Sequence, residues 1–315
     1  MFVAKHGKQH YIPKCYLKAW CDPATPPRQD PYIWVLTKDG AQSRRKSPDN
    51  VFHETDMYTI DSGDGARNLL LEHGLSQLEH EFAQLRRDKL DGCRSLDVDE
   101  HLYLVAFAAA MYLRTPVQRD HQAAQWGAVL QLADEMMAVA KAATPEERAS
   151  FPSAFPPSDP KDRIPYEDVK AAAERPMQTL FLPQMRTLVP MLAELDYVIL
   201  LASGEDRFIT SDFPCVWFDS EAHLRPEWDR GAGLLYPGIE VTLPLSPQQM
   251  VIFNRKGTNG YVSVPGDIVD DLNRRTRFHC HEFFVNSKNS TRPVWFDLGR
   301  PPGDVAIEDE LEPGA

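Results

Sequence analysis

The chain has 315 residues, 43% of them hydrophobic, which is ordinary globular usage and enough for a sizeable core. Its formal charge of −12 opposes an extended nonspecific grip on DNA or RNA, which needs a basic surface, although a local basic groove remains possible. Residues Met1 to Lys8 lack the apolar core of a signal peptide and no apolar run reaches the ~18 residues of a membrane span, so a cytoplasmic protein with no membrane partner is expected.

The first sixty-odd residues read as irregular to extended. Tyr32 to Leu36 has strand composition and is followed by the turn residues Lys38-Asp39-Gly40, and Met57 to Ile60 is a second candidate strand. From about Asn68 the apolar period becomes helical: Leu71, Leu75, Leu78, Phe82 and Leu85 predict an amphipathic helix. A second helix, capped by Asp97 or Asp99, runs through Leu102, Leu104, Phe107, Met111 and Leu113. It is apolar nearly all round and is expected at the centre of a helical core, with Pro116 ending or kinking it at Thr115. A third helix is predicted over about Gln122 to Ala143. The proline-dense stretch 144–165 reads as a loop or linker, and Tyr166 to Leu195 as helix interrupted near Pro176, Pro183 and Pro190.

Beyond this point the pattern is that of strands. Tyr197 to Leu201 and Arg207 to Thr210 flank Ser203-Gly204-Glu205-Asp206, a good hairpin connection, and Ile239 to Leu245 with Met250 to Asn254 form a second pair. Glu282 to Val285 and Val294 to Phe296 are read as edges. The fold class predicted is α+β, an N-terminal helical core packed on a C-terminal antiparallel sheet. We expect one domain over 1–298, with an arm at 1–65, a helical part at about 66–195 and a β part at about 196–298; the acidic tail 299–315 is expected to be disordered.

Five cysteines, an odd and scattered set without a CxxC pair, argue for reduced thiols and against a zinc knuckle. Three basic clusters, at Arg44-Arg45-Lys46, at Arg86, Arg87 and Lys89, and at Arg274, Arg275 and Arg277, read as solvated faces. His279-Cys280-His281, taken as a strand, would put two imidazoles on one face, but a third metal ligand is not apparent. The chain has neither a Walker loop nor a GxGxxG motif, so no nucleotide cofactor is expected.

Chemistry is better sought at four other places. His10, in the block Lys8-Gln9-His10-Tyr11-Ile12-Pro13, carries a group that titrates near neutrality, suited to a general base, a phosphate ligand or a metal ligand; the alternative is a histidine tying the arm to the core. Glu72 and Glu79, seven residues apart, emerge on nearly the same side of the first long helix, either facing a cleft or reaching to water. Arg114 ends an apolar helix and, if buried, must find Glu79, Glu72, Asp212 or a bound anion. Thr210-Ser211-Asp212-Phe213-Pro214 closes a strand, where Asp212 suits a base or metal ligand and Ser211 a hydrogen-bond donor, or both simply cap a turn. Asn286 lines the same cleft or belongs to a turn.

The His10-Tyr11-Ile12-Pro13 and Thr210-Ser211-Asp212-Phe213-Pro214 blocks together resemble the mostly bacterial family known as domain of unknown function 4238. Arg114-Thr115-Pro116 resembles the family too, and the Glu72/Glu79 spacing is similar to its first long helix; Phe213 departs from the polar residue often found there. The resemblance runs from His10 to about Pro247 and implies a site without implying an activity.

These readings predict that His10, Glu79, Arg114 and Asp212 converge as catalytic residues in one cleft, with Glu72, Ser211, Tyr11 and Asn286 binding substrate. Asp212, Glu79 and His10 would hold Mg²⁺ or Mn²⁺ for hydrolysis of a phosphodiester or phosphoester, while Arg114 stabilises developing charge. A nuclease-like enzyme of bacterial conflict or defence acting on a small phosphorylated or short nucleic-acid substrate would fit. The rival expectation is a non-enzymatic binding or assembly module in which the same residues form a structural polar network.

Overall fold

The computed structural model describes residues 7–61, 67–144 and 164–297. Strand β1 (Lys8–His10) is followed by the one-turn helix α1 (Lys14–Leu17) and by β2 (Ile33–Thr37), β3 (Ser43–Lys46), β4 (His53–Thr55), β5 (Ile60–Asp61) and β6 (Arg67–Asn68). Helices α2 (Leu70–Leu85), α3 (Val98–Leu113), α4 (Pro116–Ala142), α5 (Tyr166–Glu174) and α6 (Pro176–Ala193) come next. The last part holds β7 (Asp196–Ala202), β8 (Thr210–Ser211), β9 (Val216–Asp219), β10 (Ile239–Ser246), β11 (Gln249–Asn254), β12 (Gly260–Val264), α7 (Gly266–His279) and β13 (Phe283–Asn286). The chain is α+β, with most of its helices before its larger sheet. No described helix is long and apolar enough to cross a membrane.

Local chemistry sets the helix boundaries. Asp97 accepts from the Glu100 N–H while the Glu100 carboxylate accepts from the Asp97 N–H, a reciprocal cap that starts α3. Thr115 Oγ1 accepts from the Gln118 N–H, and Pro116 occupies the first position of α4, where its missing N–H costs nothing. One Thr-Pro step therefore stops α3 and starts α4. α3 is buried from Leu104 to Met111 except on one narrow side, and Phe107 stacks on Phe82 of α2 with ring centroids 3.7 Å apart.

The larger sheet has the order β12-β7-β11-β10-β9, antiparallel except for the parallel β12–β7 pair. The second sheet, β3-β2-β13-β8, is antiparallel and draws its strands from both ends of the sequence. One hydrophobic cluster runs from Ile12, Tyr16 and Trp20 through α2, α3 and α6 into β10 and β11. Buried hydrogen bonds reinforce it: Tyr16 Oη lies 2.6 Å from Thr210 Oγ1 and 2.7 Å from the Pro244 carbonyl, and Trp20 Nε1 donates to the Phe208 carbonyl.

Several sequence expectations are corrected. Ser203 to Asp206 does not join a hairpin, because β11 and β12 already occupy both edges of β7, and β8 pairs with β13 in the other sheet. Glu282 to Val285 is central to its sheet, as β13 between β2 and β8, and Pro293–Phe296 is a 3-10 turn rather than a strand. Met57 to Thr59 precedes β5 and is not itself extended pairing. Pro183 and Pro190 lie within α6 without dividing it, and α4 begins six residues earlier than the apolar pattern suggested. α7 was not foreseen, and it makes His279 the last residue of a helix, so His279 and His281 do not alternate along a strand. Most of the proline-rich segment, 145–163, and the tail from 298 lie outside the described residues.

Candidate functional site

β1 pairs with β4 so that Gln9 faces Glu54 and His10 faces His53 across the ladder. Because side chains alternate along a strand, Gln9 turns inward, at 3% exposure, while His10 stays half-buried. The Gln9 amide donates to Glu72 Oε2 at 2.9 Å and Thr59 Oγ1 at 3.0 Å, and its oxygen accepts from the Tyr58 N–H at 2.6 Å. After His10 the chain is fixed by the Tyr11 N–H, which donates to the Phe52 carbonyl at 2.8 Å, and by Pro13, which caps α1.

Arg114, the C-cap of α3, is 2% exposed. One of its terminal nitrogens donates to the His10 carbonyl at 2.6 Å and to Glu79 Oε1 at 2.9 Å, and its own carbonyl accepts from Tyr58 Oη at 3.0 Å. The guanidinium also lies 5.7 Å from the centre of the Tyr58 ring. Arg114 thus joins three elements, holding the arm, α2 and α3 at one point.

These residues line a cleft of about 430 Å³, whose walls include His10, Glu72, Glu79, Tyr58 and Arg114. Exposed Lys8, Lys14, Asp49 and Ser76 stand at its mouth, where Lys14 and Asp49 pair at 3.3 Å. Glu72 and Glu79 share this wall, as their two-turn spacing required. The His10 ring stands edge-on to His53, with centroids 5.3 Å apart. Burial, with His53 and Lys14 nearby, lowers its pKa to about 4, against an opposing backbone hydrogen bond at Asp49. The ring is therefore neutral at physiological pH. Its Nε2 is buried and has no hydrogen-bond partner among the described residues, and the same is true of Arg114 Nε. Such atoms cost about 1–3 kcal/mol each unless a water or ligand satisfies them.

Asp212, the fourth expected member, does not line this cleft. It is 4% exposed and accepts from three successive N–H groups, of His281 at 2.7 Å, Glu282 at 2.8 Å and Phe283 at 2.9 Å. Burial pushes its carboxyl upward while these three bonds and His281 pull it down. Ser211 Oγ accepts from the Phe213 N–H, and Asn286 accepts from the Lys288 N–H and donates to the Ser290 carbonyl. All three residues hold backbone turns. Tyr11 lines a different hollow, on the far side of the same motif. Among the described residues no group of three His, Cys, Asp or Glu side chains is arranged to hold a metal ion, so His10, Glu79 and Asp212 do not meet as a ligand set.

Gln9, Tyr58, Lys8 and Lys14 escaped the sequence reading. Gln9 stood in plain view beside His10, but only the β1–β4 pairing reveals that the glutamine is the buried neighbour. A larger groove of about 700 Å³ lies between α4, α6 and Trp217, and among the described residues no Asp, Glu, Lys or Arg lines it.

The family described as "Protein of unknown function (DUF4238)" matches residues 8–290. No curated protein and no solved structure matches the chain.

Proposed function

As the chain belongs to the DUF4238 family, whose description assigns no activity, we propose from the cleft alone that it hydrolyses a small phosphoester by acid–base chemistry at His10. The observation that carries this reading is the buried Nε2 of a neutral imidazole, unpartnered among the described residues, beside a cleft that also holds three carboxylates and three cations. An imidazole with a pKa of about 4 is a weak base in the empty cleft. A phosphoester bound between Lys8 and Lys14 would place negative charge beside the ring and raise that value. Nε2 would then take a proton from water as its oxygen attacks phosphorus, and the imidazolium so formed would give that proton to the departing alkoxide as the phosphorus–oxygen bond breaks. Arg114 is a positioning residue, setting the His10 carbonyl and the Glu79 carboxylate.

One observation favours a second reading. Gln9 spends both amide donors, and Arg114 one terminal nitrogen, joining β1 to α2 and to the β4–β5 connection, as a non-enzymatic module built around a polar clamp would require.

The deciding experiment incubates the full chain with p-nitrophenyl phosphate and bis-p-nitrophenyl phosphate, in EDTA, Mg²⁺ or Mn²⁺. The proposal expects turnover that falls at least 100-fold in His10→Gln at an unchanged melting temperature, in line with the loss of a general base. Turnover in EDTA leaves the metal out, and turnover restored only by Mg²⁺ or Mn²⁺ brings it in. No turnover under any condition, or a His10→Gln variant as active as the parent, rejects the enzyme and leaves the clamp.

A further inference from the structure

The second sheet carries a hollow of about 430 Å³ that the hydrolytic reading does not use. Its position follows from strand alternation. On β3, Arg44 and Lys46 point to one face and Arg45 to the other, where Arg45 lies over the rings of Tyr32 and Trp34 at 5.3 and 5.8 Å. β3 pairs with β2 so that Arg44 faces Val35, and β2 pairs with β13 so that Thr37 faces Phe283. Val35, Thr37 and Phe283 therefore form the floor beneath Arg44 and Lys46. Tyr11 and Phe52 close the apolar side, their rings 5.9 Å apart.

The hollow combines an apolar wall with a basic rim. Its inner wall is apolar and aromatic, with Val35, Val51 and Phe52 buried. Its rim carries two cations, in a chain whose formal charge is −12, and neither has a carboxylate partner among the described residues. Arg44 donates only to the Gln42 amide oxygen, at 3.1 Å. Arg45, by contrast, is already occupied by its two rings.

The backbone beneath the hollow supplies an independent observation. Phe52 has φ of +52°, the left-handed region, which a bulky side chain enters at a cost of about 1–3 kcal/mol. This conformation turns the Phe52 carbonyl to the N–H groups of both Tyr11 and Ile12, at 2.8 and 3.4 Å, and presents its ring to the hollow. Burial, together with Asp212, Glu54 and Glu282, also holds the Tyr11 hydroxyl protonated well beyond the usual phenol range, so it remains a donor. Glu54 is paired with Arg119 and Asp212 is held by backbone N–H groups, and among the described residues no carboxylate, Glu282 included, forms an ion pair with Arg44 or Lys46.

We infer that this hollow is a binding site for a flat apolar body bearing one carboxylate or phosphate, with the ring against Tyr11, Phe52 and Phe283 and the anion between Arg44 and Lys46. The site does not depend on the chemistry proposed at His10. The two clefts share only the motif that separates them, His10 facing one and Tyr11 the other. Volume agrees, since small-molecule sites begin at about 300 Å³.

Calorimetric titration of the full chain with 2-naphthoate, 2-naphthylphosphonate and neutral 2-naphthol tests the inference. One equivalent of at least one acid should bind, at least ten-fold more tightly than the naphthol. Arg44→Gln/Lys46→Gln should weaken that acid at least ten-fold with unchanged melting, whereas Arg45→Gln should leave it alone. A preference for the phosphonate identifies a phosphate ligand, and a preference for the naphthoate identifies a carboxylic acid. Binding of neither acid, equal binding by the double variant, or an equal loss in Arg45→Gln overturns the site. His10→Gln should not alter these affinities, so failure of the hydrolase reading leaves this result standing.

Discussion

His10 has a folded-state pKa of about 4 against an ordinary value of 6.5, because burial disfavours its charged form and His53 and Lys14 add repulsion. Between those two values the unfolded chain binds more protons than the folded one, so stability is full above about pH 6.5 and is lost as the pH falls toward 4. His53, His101 and His279 are shifted in the same direction by burial, so the whole chain should weaken with acid. The part owed to His10 is isolated by comparing urea midpoints of the parent and His10→Gln from pH 7.5 to 4.5. The variant should lose less, and parallel curves would show that His10 titrates normally. Arg114 makes a complementary case. Glu79 is its only carboxylate partner among the described residues, and the Glu79→Gln variant removes that counter-charge from a fully buried cation, leaving it neutral oxygen acceptors alone. Breaking such a pair costs about 3–5 kcal/mol, and the partial exposure of Glu79 places the expected loss at the lower end, about 3 kcal/mol in chemical denaturation. A loss below about 1 kcal/mol would mean that water already reaches the guanidinium.

Asp212 shows how an element boundary can imitate a catalytic residue. A carboxylate at a strand end beside a proline looks alike in sequence whether it faces substrate or its own backbone, and here three consecutive N–H groups at the entrance to β13 take all of it. Asp212→Ala should therefore destabilise by about 3 kcal/mol, since it leaves three partly buried donors unmet at about 1 kcal/mol each, the lower end for such groups, and should not alter turnover of folded protein. Full stability with abolished turnover would return Asp212 to the site. The elements that were legible in sequence are those governed by local periodicity: α2, α3, and the β10–β11 pair announced their own burial pattern. What was not legible depends on pairing between distant strands. No local signal shows that β7 has both edges filled, so that the chain after Ser203 must leave for another sheet, nor that β13 sits between β2 and β8. The candidate site divides in the same way. The Glu72 and Glu79 wall followed from helix geometry, whereas the separation of Asp212 and Tyr11 from His10 followed from the sheets.

At the scale of the whole molecule the arm is the part on which everything else depends. Residues 8–20 supply β1 to the cleft, Tyr11 to the second hollow, and Tyr16 and Trp20 to the main core. Tyr16 reaches both sheets at once, through Thr210 in β8 and Pro244 in β10, and Trp20 adds a bond to the Phe208 carbonyl. The largest cluster runs from the arm to β11 and joins the helical and β parts, beside a smaller cluster of Val198, Leu200, Phe208, Met250 and Leu272 within the β part, and we propose that residues 7–297 unfold as one domain. Two measurements check this. Far-ultraviolet dichroism and tryptophan fluorescence should give coincident urea transitions. Tyr16→Phe, which strands the Thr210 hydroxyl and the Pro244 carbonyl in the interior, should shift both together by about 1–3 kcal/mol. Transitions that separate in the parent, or a Tyr16→Phe shift confined to one probe, would mean that the arm closes over two units that fold apart, and both clefts would then lie on a movable segment.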